Sequence, residues 1–150
     1  MPKTISTTDV PHTYTLYCPA LSTSPRIART FIATVLRSQA LDHLNEAATL
    51  CTSELVTNAV VHARGPGATL ELAIEATYVR VEVRDSDDRP PVLREGYDAE
   101  SGRGLWLVDA LSEGRWGVEP GETGGGKAVW FELRTCGGME AALKRGEAQG

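Results

Sequence analysis

The chain has 150 residues, 41% of them hydrophobic and 23% charged, with a net charge of −5. That balance predicts one globular domain burying roughly two thirds of its unfolded surface, and it argues against nonspecific nucleic-acid binding. It suits partners that are proteins, or a nucleotide that brings its own metal. No apolar run approaches the roughly 18 residues of a membrane span, and Met1-Pro-Lys-Thr4 has no apolar signal core, so a cytoplasmic protein is expected. Cys18, Cys51 and Cys136 are odd in number and form no CxxC pair, which points to reduced thiols rather than a disulfide framework or a zinc site. His12, His43 and His62 are too scattered in sequence to suggest a metal cluster.

Residues 1–11 are polar with two prolines and predict a loose arm. His12 to Cys18 alternates, with Tyr14, Leu16 and Cys18 on one side, and predicts a strand. Ser24-Pro25 predicts a helix start, with Ser as N-cap and a stripe of Ile27, Phe31 and Val35 joined by Ala28, Ile32 and Leu36 to about residue 38. A second helix is predicted from about Leu44 to Ala63, with Asp42 or Asn45 near its cap and Gly65-Pro66-Gly67 ending it. Apolar residues on both of its sides predict burial almost all round, leaving the Thr49, Ser53, Thr57 edge to water.

Thr69 to Ile74 and Tyr78 to Arg84 alternate and predict an antiparallel hairpin closed by Asp85. Residues 86–101 show no period; a stretch of that length in a compact domain is often a lid. Ser101-Gly102-Arg103-Gly104 leads into a short apolar helix through Leu105, Leu107, Val108 and Leu111. Arg115 to Val118 predicts a strand, as does Ala128 to Leu133 behind Gly124-Gly125-Gly126. The tail from Gly137 suggests a short frayed helix, and the chain holds no internal repeat.

The segment Glu54-Leu-Val-Thr-Asn58-Ala-Val-Val-His62 places three polar groups four residues apart, hence on one helix face. A carboxylate and an amide so spaced suit a divalent cation and a water: Asn58 as a magnesium ligand, Glu54 as proton acceptor. Asp85, at a strand end, can accept a hydrogen bond from an exocyclic amine such as that of adenine. Gly102-Arg103-Gly104 before a helix allows close backbone approach to a phosphate. Taken singly, each has a simpler structural explanation: Glu54 paired with arginine, Asn58 bonded to backbone, His62 a helix-end histidine, Asp85 opening a turn. Gly121 to Lys127 resembles a P-loop, but Ala128 replaces the Ser or Thr and a strand follows, so it reads as a turn.

In this order the motifs resemble those of the GHKL ATPase superfamily, whose members include DNA gyrase, an ATP-driven heat-shock chaperone, histidine kinases and mismatch-repair ATPases. Within it the chain is similar to the anti-sigma-factor serine/threonine kinase branch, and most of all to short ATP-binding regulators of actinobacteria. Twelve arginines to three lysines suit a GC-rich genome. The resemblance covers residues 12–135 and rests on Ser53-Glu-Leu-Val-Thr-Asn-Ala-Val-Val-His-Ala63 and Glu100-Ser-Gly-Arg-Gly-Leu-Trp-Leu-Val108.

It implies a Bergerat fold: an α+β two-layer sandwich with a mixed, mostly antiparallel sheet under roughly three helices. Residues 1–11 are then the arm, 12–135 the ATP-binding domain and 136–150 the tail. The resemblance further implies ATP and Mg2+ as ligands. Glu54 becomes the catalytic residue and Asn58 the metal ligand. Asn58, His62, Asp85, Asp87, Gly102, Arg103, Gly104 and Leu105 become the nucleotide-binding set.

The implied partners are an anti-anti-sigma-type antagonist, which the protein would phosphorylate, a sigma factor and a second copy of the chain, with no direct nucleic-acid or membrane contact. An ATP-dependent binding switch without phosphoryl transfer is the alternative. A complete histidine kinase or a gyrase-like motor is not expected. The chain departs from the family at Asp85-Ser86-Asp87-Asp88-Arg89, which lacks the glycines of D-x-G-x-G, and at Ala128, where Thr is usual.

Overall fold

Leu70, Leu72 and Ile74 alternate with polar neighbours, as do Val79, Val81 and Val83, and the two runs form adjacent antiparallel strands as their period predicts. The computed structural model describes residues 10–87, 103–121 and 125–135. Most of the expected N-terminal arm, the bulk of the lid and the tail lie outside the described residues.

Five strands are described: β1 (His12–Pro19), β2 (Gly67–Ile74), β3 (Tyr78–Asp85), β4 (Trp116–Pro120) and β5 (Lys127–Arg134). They lie in the order β1-β2-β3-β5-β4. The sheet expected as mostly antiparallel is wholly so among the described residues. Three helices, α1 (Ser24–Ser38), α2 (Asn45–Thr57) and α3 (Arg103–Ser112), form the second layer, with α2 between the other two. The result is the two-layer α+β sandwich.

Register carries apolar side chains straight across the three inner strands. Leu72, Val81 and Phe131 are direct neighbours; Leu70, Val83 and Val129 flank them on one side, Ile74, Val79 and Leu133 on the other. All are buried, and the helices close over them with Ala28, Ile32, Leu36, Ala48, Leu55 and Val56. The opposite face is polar. There the Glu82 carboxylate meets Arg84 at 2.6 Å and Arg80 at 3.5 Å, and the Arg80 guanidinium stands 4.2 Å from the Trp130 ring centre. Partly exposed ion pairs of this kind contribute at most about 1 kcal/mol each, so the apolar rows dominate the stability.

Four local expectations change. Thr23, not Ser24, occupies the N-cap of α1, without a side-chain cap bond. The Ser24 hydroxyl instead donates to the Pro19 carbonyl at 2.6 Å, tying the helix to the end of β1. The buried stripe of α1 is Ala28, Ile32, Val35 and Leu36, while Ile27 is 55% exposed. A single 3-10 turn (Asp42–Leu44) leads into α2, which has Leu44 at its N-cap and no side-chain cap. Leu50 and Val61 are exposed and Thr49, Ser53 and Thr57 half-buried, so α2 and its continuation are not buried almost all round. The sheet and two flanking helices cover only part of its circumference.

Thr52 is fully buried in α2, and its hydroxyl has no hydrogen-bond partner among the described residues. Removing an unpaired buried hydroxyl while keeping the branched shape removes a desolvation cost. Thr52→Val is therefore expected to stabilise the fold by about 1 kcal/mol, read as a higher urea midpoint at unchanged slope.

Candidate functional site

The site region begins where α2 changes pitch. The Asn58 N–H donates to the Glu54 carbonyl, so these two residues are one α-helical turn apart, as the sequence pattern requires. Beyond Asn58 the helix widens: the Ala63 N–H reaches back five residues to the Asn58 carbonyl at 2.9 Å, making Asn58–His62 a π turn. Ala59 and Val60 stay buried, whereas Val61 and His62 face solvent. The wider turn shifts His62 out of the α-helical register that would have continued the Glu54–Asn58 stripe. Such turns occur often at functional sites.

Glu54 and Asn58 are both half-buried. Glu54 engages a neighbouring group, whereas the Asn58 carboxamide makes no hydrogen bond among the described residues. Burial first, and the nearby charge of Glu54 second, push the Cys51 thiol up to about 12. Burial also raises Cys18. A native thiol that holds its proton more tightly than the unfolded one stabilises the fold fully below its ordinary value of 9.0, and that contribution fades as pH rises towards about 12. Cys51 is accordingly expected to resist iodoacetamide at pH 8 in the native protein and to react once urea unfolds it, as read by peptide mass.

The second half of the site lies at the end of β3. Asp85 continues the inward parity of Val79, Val81 and Val83, and register sets it between Ala68 and Lys127. Withdrawing a lysine from water costs several kcal/mol unless partners replace the water. Here they do: Lys127 Nζ donates to Asp85 Oδ1 at 3.0 Å and to the Asp87 carbonyl at 2.8 Å. The Asp87 N–H also donates to Asp85 Oδ1, at 2.8 Å. Asp85 Oδ2 makes no hydrogen bond among the described residues.

The buried Asp87 carboxylate turns towards the segment that follows the π turn and accepts the Arg64 N–H at 3.0 Å. Two glycines press this segment from opposite sides. A Cβ on Gly65, whose φ is +145°, would strike the Ser86 side chain, and one on Gly126, at φ +84°, would strike the Asp85 carbonyl. The chain from π turn to β3 to β5 is thus one hydrogen-bonded unit, and the π turn itself lies against β2 and β3.

Lys127 is the residue that sequence reasoning missed. In sequence it closes a glycine turn, yet its place two residues before Val129 gives it the inward parity. Ala128 pairs with Arg84 on the polar face instead, so the departure noted there lies on the side away from Asp85. Gly102 lies outside the described residues, as do the side chains of Arg103 and Gly104, which open α3. Leu105 is buried in the first turn of α3 and anchors it on the core. Among the described residues no three His, Cys, Asp or Glu side chains gather to hold a metal. A magnesium ion carried by phosphates needs only one or two protein oxygens, and the unengaged Asn58 amide fits that demand.

The family model for a histidine kinase-like ATPase domain matches residues 18–132. The match spans more than half of the chain and takes in α2, the π turn, Asp85 and Lys127. The chain belongs to this family, within the GHKL-type ATPase superfamily, and membership supports ATP as its ligand. No curated protein matches the chain significantly. No described helix is long and apolar enough to cross a membrane.

Asp87→Ala removes the acceptor of the Arg64 amide. It is expected to cost about 1 to 3 kcal/mol of stability and to speed hydrogen exchange at Arg64 selectively.

Proposed function

We propose that the protein is an ATP-dependent regulator that binds Mg-ATP and phosphorylates a serine or threonine of a small antagonist protein, thereby controlling a sigma-type transcription factor. The observation that carries this reading is the unengaged Asn58 carboxamide at the head of a π turn packed on β3, the strand whose end presents Asp85 Oδ2. Asp85 accepts from the adenine amine and selects the base. Asn58 holds the magnesium ion, which neutralises phosphate charge when bound. Glu54 takes the proton of the attacking hydroxyl. Gly102, Arg103 and Gly104 offer main-chain amides at the start of α3 to the phosphates, above Leu105. His62 and Asp87 belong to the rim, and a second copy of the chain is a candidate partner.

A second reading keeps ATP binding without transfer, with the bound nucleotide ordering a partner surface. Asp87 favours it: a buried carboxylate stands where the family's glycine would bring bare backbone to the nucleotide.

Calorimetric titration of ATP with and without magnesium tests the shared core of both readings. Asp85→Asn is expected to weaken binding by about tenfold or more, because a charged acceptor is lost. Asn58→Ala is expected to abolish the magnesium dependence. Wild type that ignores ATP would end both readings. Radiolabelled phosphate transfer to an antagonist-type domain, lost in Glu54→Ala, separates kinase from switch.

A further inference from the structure

We infer that Lys127 is a positioning and specificity-determining residue of the nucleotide site: it holds Asp85 as a fixed, charged acceptor and sets one hydrogen-bond donor beside it. This rests on the reading of Asp85 as the base-selecting group. The structure supplies three observations. The Lys127 side chain is 10% exposed and that of Asp85 4%, so neither is a surface ion drifting in solvent. The two residues are direct cross-strand neighbours, set by the β3–β5 register rather than by flexible loops. Finally, the ammonium carries three donors, and two are committed, one to Asp85 Oδ1 and one to the Asp87 carbonyl.

What remains is a matched pair. Among the described residues, Asp85 keeps Oδ2 as an acceptor, and Lys127 keeps its third N–H as a donor. An amine beside an unprotonated ring nitrogen complements this order, as on the adenine edge. A hypoxanthine edge presents the reverse, a carbonyl beside a ring N–H, and meets like with like when sugar and phosphates fix the register. A rigid, dry pair discriminates better than a hydrated one, because mispaired groups cannot recover their hydrogen bonds from water.

The pair also links the site to the backbone. Lys127 bonds to the carbonyl of Asp87, whose carboxylate holds the Arg64 N–H beyond the π turn. The ammonium thereby reinforces the link that the Asp87 N–H already makes between Asp85 and the segment after the Asn58-bearing turn.

The test compares ATP with ITP on wild type, Lys127→Met and Lys127→Arg by calorimetry, with thermal melts as the folding control. Wild type is expected to prefer ATP by about tenfold or more. Lys127→Met keeps the length and loses the charge; it is expected to lose about tenfold or more in ATP affinity while ITP affinity changes little, collapsing the preference. Lys127→Arg keeps the charge but has a broader planar head, so it is expected to fold, bind ATP, and show a preference reduced by about threefold or more.

A folded Lys127→Met that loses ATP and ITP affinity equally, or neither, would overturn the inference and leave the pair structural. If Lys127→Met does not fold, an unchanged preference in Lys127→Arg overturns it alone. Wild type that binds ATP only weakly and no better than ITP refutes this inference, whereas wild type that binds neither refutes the nucleotide reading beneath it.

Discussion

The organisation of this domain depends on a buried charge pair at the end of a sheet. Asp85 and Lys127 sit on the inward face, one rung beyond the apolar rows of β3 and β5. Withdrawing either group from water is costly unless partners replace the water. Together, and with the Asp87 main chain as third member, they are satisfied enough to remain. Two close glycine contacts, at Gly65 and Gly126, leave the segment between them little room to move. The apolar rows of the core stop at this rung, and a charged pair takes their place.

The pitch change in the second helix has the same character. An α-helix prolonged to Ala63 would have kept His62 in the stripe of Glu54 and Asn58. The π turn instead returns the chain to β2 with Ala59 and Val60 still in the core, and it leaves Asn58 at the boundary between two helical geometries. Single π turns inside helices recur at functional sites. The proposed nucleotide site rests on this boundary and on Asp85 together.

Membership of the histidine kinase-like ATPase family and the geometry support each other without being the same argument. The family assignment supports ATP. The geometry says how this chain departs from the family's glycine motif: Asp87 is a buried clasp onto Arg64. A clasp in that position replaces glycine's backbone freedom with a firm link to the segment that follows the π turn.

Much of this was legible from residue order. Period-two alternation marked β2, β3 and β5 because a half-buried strand must place apolar groups on one face. Gly65-Pro66-Gly67 marked the helix end because few other residues tolerate that backbone. The spacing of Glu54 and Asn58 was readable because α-helical pitch is constant as far as Asn58. The places where sequence reasoning failed are those where distant segments decide. The exposure of Leu50 and Ile27 depends on what packs beside their helices, and the fate of His62 on a turn that widens to meet β2. Lys127 is clearest: 42 residues separate it from Asp85, and only the register of two antiparallel strands makes them neighbours. Local pattern determines which face a side chain takes; long-range pairing determines what it meets there, because hydrogen-bond ladders align strands regardless of the chain between them.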